Sequence, residues 1–468
     1  MGKAKYSSYK PSKTLWQSEI PSHWQETEIR MLFSENKTKN IGLVERNLLS
    51  LSYGKLKRKD IDNATGLVPA SFEGYQIIEN GYIVLRFTDL QNDKKSLRVG
   101  YANERGIITS AYVGLAPKAD IHSKYFYYQL HFLDKIKYFY NLGGGVRQSL
   151  AFKEFGRETV LIPEKDEQNR IVKYLDFKLA KAEKFIRKKK QLIQLLNEQK
   201  AAIINQAVTK GLDPNAKMKD SGIEWLEEIP KHWEVRKIKH LGKAIIGLTY
   251  SPSDETNAEN GTLVLRSSNV QNELITFDDC VYVTTEIPEI KRTKIGDILI
   301  CSRNGSIKLI GKNALIDEKS AGCSFGAFMT ILRSPNYHYL HYFFNSASFK
   351  AQSGLFFTST INQLTTGILN NILVAIPKTL EEQLAVVKFI KEETNVINIA
   401  ISKIEKEISL VEEYKTTLIA EAVTGNIDVR GYDVPEVESE EESYEELEEE
   451  MSMAAEDGAE YENQNEEL

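Results

Sequence analysis

Apolar residues recur at alternating intervals of three and four over two long stretches that contain neither Pro nor Gly. From Asp166 to Val208, a heptad frame places Val172, Leu179, Ile186, Ile193, Lys200 and Ala207 at position a. Leu175, Ala182, Lys189, Leu196 and Ile203 fall at d, so nine of the eleven are apolar. The same frame, 215 residues later, places Val387, Thr394, Ile401, Ile408, Lys415 and Ala422 at a and Ile390, Ile397, Ile404, Val411 and Leu418 at d, again nine of eleven. A period of about 3.5 residues sustained this long predicts coiled-coil helices, each of about 42 residues and about 60 Å. Each apolar seam needs a cover, and the other copy is the partner at hand, running antiparallel. Gly211 and Gly425 follow the last apolar positions, where helix C-caps are expected.

The helices belong to a longer repeat. Ile20-Pro21-Ser22-His23-Trp24 returns as Ile229-Pro230-Lys231-His232-Trp233, and Ile162-Pro163 with Glu167-Gln168 returns as Ile376-Pro377 with Glu382-Gln383. Val84-Leu85-Arg86 with Gln91-Asn92 is matched to Val264-Leu265-Arg266 with Gln271-Asn272 at an offset of 180. The middles, about 30–160 and 235–375, alternate short β-rich runs (82–85, 262–265, 297–300) with Gly, Asn and Asp, which predicts mixed sheets. Aromatic-rich segments at 125–140 and 337–349 read as a helix in each copy. The predicted fold is α+β: two mixed α/β domains in tandem pseudo-twofold repeat, separated by two long antiparallel coiled-coil helices. The boundaries are an N-terminal segment 1–24, domains at 25–163 and 229–377, helices at 164–210 and 378–425, a linker at 211–228 and a tail at 426–468. Trp24 and Trp233 sit among apolar neighbours and read as core rather than as base-stacking surfaces.

Charge sharpens this picture. The 468 residues carry a net charge of −6, but residues 436–468 hold 16 Asp and Glu and no Lys or Arg. The remaining 435 residues have 60 basic against 50 acidic side chains, a net of +10 that suits a polyanionic partner. The tail is too acidic and too poor in apolar residues to build a core, and is expected to be disordered. Cys280, Cys301 and Cys323 form no Cys-x-x-Cys pair, and nothing at the N-terminus reads as a secretory signal, so a reducing, cytoplasmic location is expected. No apolar run approaches the roughly 18 residues of a membrane span.

No catalytic motif is found. Gly305 to Asn313 misses P-loop spacing by one residue and lacks the hydroxyl that would bind Mg²⁺. Gly143-Gly144-Gly145 follows no strand and reads as a mobile turn. Glu35-Asn36-Lys37 lacks an accompanying Asp, and His338 with His341 lie near no Cys pair. What remains is polar and basic. Arg266, Ser267, Ser268, Asn269 and Gln271 follow one predicted strand; Arg303, Asn304, Ser306 and Lys308 follow another. Arg suits guanine edges, Asn and Gln suit adenine, and all can meet phosphates. Arg86, Thr88, Asp89 and Gln91 take the matching place in the first copy under the 180-residue offset. Lys55, Lys57, Arg58 and Lys59 form a cluster suited to phosphates, and Arg187 to Lys190 a basic stretch on the first helix.

The chain resembles the specificity subunits of type I restriction-modification systems over residues 9 to about 425. The resemblance rests on Ser221-Gly222-Ile223-Glu224-Trp225-Leu226 leading into Ile229-Pro230-Lys231-His232-Trp233-Glu234. It rests further on Ile-Pro followed by Glu-Gln in both copies, and on Ala-Val-Thr closing each helix before Gly211 and Gly425. Gly296-Asp297-Ile298-Leu299, Gly311-Lys312 and Cys323-Ser324-Phe325-Gly326-Ala327-Phe328 are similar to a known type of target recognition domain, which adds Lys312 to the DNA-binding candidates. In the first domain Arg105-Gly106-Ile107-Ile108-Thr109 stands in place of that last block, adding Arg105 and Thr109; Arg147 completes the set. The resemblance implies a non-catalytic subunit. Each domain would read one half of a bipartite duplex DNA target, and the helices would set the unread spacer and hold two modification subunits. Restriction subunits would join them, with S-adenosylmethionine, ATP and Mg²⁺ on those partners, none on this chain, and no membrane involved. The alternatives are a coiled-coil scaffold that binds DNA without reading it, and a nuclease or methyltransferase with unrecognised motifs.

Overall fold

The computed structural model describes residues 5–63, 69, 71–88, 97–118, 120–142, 150–223, 225–355 and 363–433. The described chain forms two compact units, one of residues up to Lys189 together with those from Glu405 onward, the other Lys190–Ile404. Both predicted helices are present and continuous, at Lys165–Lys210 and Leu380–Val423. Every a and d residue of both is buried or half-buried, and between Lys388 and Tyr414 every other position except Ala400 is exposed. Within the first unit the helices run antiparallel: Lys189 bonds Glu407 at 2.7 Å while Lys415 lies 3.6 Å from Glu183. Val172, Leu175, Leu418 and Ala422 share one core there. Buried Thr394, a polar residue at position a, donates its hydroxyl to the Ile390 carbonyl of its own helix at 2.7 Å.

The duplicated motifs are the joints between helix and domain. Glu167, in the first turn of the first long helix, accepts from Tyr6 Oη (2.6 Å) and Trp24 Nε1 (3.1 Å) and lies 2.8 Å from His23 Nε2. Glu382 repeats the arrangement with Trp233 Nε1 (2.7 Å) and His232 Nε2 (2.9 Å). The following glutamines, Gln168 and Gln383, each donate to the carbonyl of the preceding Pro. Trp24 and Trp233 are fully buried, as their neighbours predicted. Gly425 and Gly211, both at φ +75°, end the opposite helices against Trp24 and Trp233. Each Trp thus holds the start of one long helix and the end of the other, and the residues with no side chain or a left-handed backbone sit where that approach is tightest.

Each unit contains two four-stranded sheets. In the first, one runs Lys55–Lys59, Leu48–Ser52, Gly106–Ile108, Gln76–Ile78 and the other Phe33–Glu35, Val113–Pro117, Ile83–Leu85, Val99–Tyr101. In the second, one runs Glu255–Thr256, Val281–Val283, Thr262–Leu265, Ser324–Phe325 and the other Lys243–Ile246, Met329–Arg333, Ile298–Cys301, Asn313–Leu315. The parallel pair is Leu48–Ser52 with Gly106–Ile108 in the first and Thr262–Leu265 with Ser324–Phe325 in the second. Helices Ser123–Lys135 and Tyr337–Phe344 are counterparts; Tyr125 Oη reaches the Val423 carbonyl and Tyr339 Oη the Val208 carbonyl, the two carbonyls being 215 residues apart and the tyrosines 214.

This order of strands corrects the alignment of the middles. Ile83–Leu85 corresponds to Ile298–Cys301, at the 215-residue offset of the helices. Each follows a left-handed glycine, Gly81 at φ +91° and Gly296 at φ +85°. Thr262–Leu265 corresponds to Leu48–Ser52, so the first-copy counterpart of the Arg266 loop is the turn at Tyr53-Gly54. Arg86 matches Cys301, and Thr88 matches Arg303. The 180-residue match misled because buried strands draw on the same few β-branched and Leu residues, and three of them in a row carry little register.

Candidate nucleic-acid interface

In the second unit three strand ends meet. Leu265 and Phe325 are paired in parallel, and the Gly326 N–H donates to the Leu265 carbonyl at 3.0 Å, so the loops leaving these two strands emerge side by side. The strand Ile298–Cys301 ends beside the start of Met329–Arg333, and Ser302 and Arg303 both donate their N–H to the Phe328 carbonyl, at 2.9 and 3.0 Å. Several sequence candidates gather on this edge. Asn304 Nδ2 lies 3.4 Å from Ser267 Oγ, and Lys312 Nζ lies 3.4 Å from Gln271 Oε1. Lys312 is half-buried, and loss of hydration holds its ammonium below the usual lysine range, with the Cys301 thiol opposing that shift.

Arg266 is held rather than loose. Its Nη2 donates to Asp279 Oδ2 at 2.6 Å, its backbone N–H to Asn269 Oδ1 at 2.8 Å, and its buried Nε has no hydrogen-bond partner. Asn269 is fully buried, and Nδ2 donates to the carbonyls of Thr276 (3.1 Å) and Asp279 (2.7 Å). Its donors and acceptor are used inside the loop, so here it shapes the turn and presents nothing outward. Burial raises the Tyr250 phenol above its usual range, and the neighbouring Arg266 charge opposes the shift. Gln271 is exposed at the start of a two-residue turn, with Nε2 bonded to the Ser268 carbonyl at 3.1 Å. Arg303 and Lys308 are exposed; Ser306 N–H donates to Asn304 Oδ1 at 2.9 Å.

The first unit is more heavily paired. Arg58, on the edge strand, donates to Glu104 at 2.8 Å; Arg105 donates to Glu45 at 3.1 Å and Glu79 at 2.9 Å. Lys57 is half-buried on the same strand as Arg58. The carbonyls of Arg86 (3.3 Å) and Thr88 (2.8 Å) accept from the guanidinium of Arg98, a fully buried residue set over the Tyr140 ring. Thr109 Oγ1 accepts from Ala111 N–H at 3.3 Å. Gln91 and Arg147, together with Asp89 and the glycines 143–145, lie outside the described residues, as does most of the acidic tail.

Sequence reasoning missed Asp279, Arg98 and Phe328. Asp279 lies 13 residues beyond Arg266 in an irregular stretch, and no periodicity links them. Phe328 stood in a recognised block, but its exposure is decided by the turn that carries it. Among the described residues no group of three His, Cys, Asp or Glu is placed to hold a metal, and no helix is long and apolar enough to cross a membrane. His341 is buried, with Nδ1 3.1 Å from Asn313 Oδ1.

Two α+β units, each with two four-stranded sheets beside long coiled-coil helices, define a tandem-repeat protein whose second unit gathers polar and cationic side chains on one strand edge. Residues 230–410 match the family described as Type I restriction modification DNA specificity domain, the family that the motifs resembled. The type I restriction enzyme StySPI specificity subunit of Salmonella potsdam is 25% identical over 213 residues, 43% of this chain and 44% of the relative. The EcoKI specificity subunit of Escherichia coli (strain K12) is 23% identical over 211 residues, again 43% and 44%. The chain thus aligns with under half the length of these relatives. A solved structure described as the structural basis of complex assembly and conformational transition of the type I R-M system shares the fold, with a TM-score of 0.59 at 13% identity, covering 87% of this chain and 99% of that one.

Proposed function

We propose that this chain is the sequence-reading, non-catalytic subunit of a type I restriction-modification complex. Each domain reads one half of a bipartite duplex DNA target, and the long helices set the number of unread base pairs between the halves. The observation that carries this reading is the convergence of Arg266, Ser267, Gln271, Arg303, Asn304 and Lys312 on one strand edge inside the stretch that matches the DNA specificity family. Arg, Gln and Asn forks read base edges, while Lys and Ser hold phosphates.

The helices also offer a docking surface. In the second unit Leu192, Leu195, Leu384, Phe389, Val396 and Ile399 are 38–69% exposed outside the seam. An apolar row of this kind on a paired helix is suited to helices of another subunit, here two modification subunits. S-adenosylmethionine, ATP and Mg²⁺ belong to the modification and restriction subunits, and the assembly works in the cytoplasm.

The test is sequencing of methylated adenines in cells carrying this chain with its modification subunit. The expected result is a bipartite motif with a fixed gap. Methylation at unrelated sites, or by this chain alone with S-adenosylmethionine, overturns the reading in favour of a non-reading scaffold or an enzyme.

A further inference from the structure

Phe328 is an exposed aromatic ring set among the polar groups of this edge, with Ile307 of the neighbouring loop 48% exposed. Phe328 is 56% exposed, and its backbone is held by the turn that presents it. The Phe328 carbonyl accepts from both Ser302 and Arg303, the Met329 N–H donates to the Gly326 carbonyl at 2.9 Å, and Gly326 is bonded to Leu265. The guanidinium of Arg303 lies 5.1 Å from the ring centroid. Asn304, the next residue, reaches Ser267, which follows Arg266. The ring therefore lies beside the loop that carries Arg303, and that loop adjoins the one carrying Arg266 through Asn304 and Ser267.

A single exposed apolar side chain is ordinarily unremarkable on a protein surface. This one differs in being fixed by its own backbone, backed by a cation and surrounded by groups suited to base edges and phosphates. Its backbone is already held, so contact with a ligand has only the ring's own torsions left to order. The ligand surfaces that combine an apolar face with flanking anions are those of nucleic acid, where Phe side chains meet thymine methyl groups and the faces of base steps.

We infer that Phe328 is the apolar contact of the second unit with duplex DNA, its ring set against base surface in the groove while Arg303 lies over it toward the phosphates. The inference rests on the DNA-reading function proposed above.

The experiment uses the full chain and a duplex recovered by the wild-type chain from a randomised pool, with binding measured over a series of salt concentrations. Removing an apolar contact leaves the number of neutralised phosphates unchanged, whereas removing a cation lowers the salt slope by about 1. Phe328→Ala is expected to weaken binding about tenfold with the slope of log affinity against log salt unaltered, and Phe328→Leu to lose less. Arg303→Ala is expected to flatten the slope. Phe328→Ala binding within about twofold of wild type, within the spread of an ordinary surface substitution, overturns the inference. A loss accompanied by a flatter slope, or by a lowered melting temperature of the free protein, does so equally. If the wild-type chain recovers no common sequence from the pool, it is the DNA-reading function itself that fails.

Discussion

At the scale of single residues, the second unit separates groups that face outward from groups that hold them. Arg266 is oriented by Asp279 and Asn269, and its own fork remains partly exposed, so its truncation and the truncation of its holder should differ. Arg266→Ala is expected to cost about 1–3 kcal/mol of cognate binding and to relax one position of the target. Asp279→Ala frees the guanidinium and is expected to weaken discrimination more than affinity; binding to cognate and singly mismatched duplexes checks both. His341 makes a prediction of another kind. Its burial, with Lys200 and Lys391 nearby, pushes its pKa down from 6.5 to about 4. The imidazole is neutral in the fold, while the unfolded chain takes up a proton near pH 6.5. Its contribution is therefore present above that pH and is lost as the pH falls toward 4, by at most about 3 kcal/mol. Melting temperatures of the wild type and His341→Asn between pH 7 and 4 should diverge in that window, the wild type falling further.

At the scale of elements, the lysines at equivalent seam positions show what a coiled-coil frame alone leaves open. A Lys at position a reads as a register device or a stem that reaches solvent. Lys200 instead meets Glu273 at 3.1 Å, and Lys415 meets Glu183, which in turn lies 3.9 Å from Lys55. Glu273 lies in the connection that follows Thr262–Leu265, and Lys55 opens the strand that follows the corresponding Leu48–Ser52, so in each unit the chain just past that strand is tied to a long helix. Glu273 adopts φ +65°, a backbone conformation that costs a non-glycine residue about 1 kcal/mol or more, and the Lys200 contact gives that residue a reason to be Glu. The pair itself is worth up to about 1 kcal/mol. We predict that Lys200→Glu shifts the preferred spacing between half-sites or broadens it, and that adding Glu273→Lys restores it; a methylated motif with unchanged spacing in the single variant refutes the coupling. A second element-scale prediction concerns the joints. A Cβ on Gly425 would fall 2.3 Å from Pro21 Cδ at a left-handed φ, so Gly425→Ala is expected to destabilise the protein by more than about 1 kcal/mol, measured by thermal melting.

At the scale of the whole molecule, the repeat predicts that the two domains are exchangeable readers. Replacing residues 25–163 with another recognition domain is expected to change one half of the methylated motif and leave the other half unaltered, which adenine methylation sequencing reports directly. An unchanged motif after the exchange refutes separate reading. The basic body and the acidic tail remain distinct in charge, and the tail has no counterpart after the first long helix.

The sequence alone determined the long helices, their seam, their glycine ends and the buried tryptophans, because these depend on periodicities and local rules carried by neighbouring residues. It also located the polar sets, since residue type is enough to say which side chains suit bases and phosphates. Tertiary structure decided which of them share a surface. Asn269 turned inward because a loop of some ten residues closes around it, and Arg98 reached the carbonyls of Arg86 and Thr88 from another strand. Arg86 lost its pairing with Arg266 once the parallel strand pair fixed the true register. Phe328 became a site only when two N–H groups from a different strand held its turn at the edge. Each of these contacts joins residues that no spacing relates, and chain proximity carries no information about them until the sheets are closed.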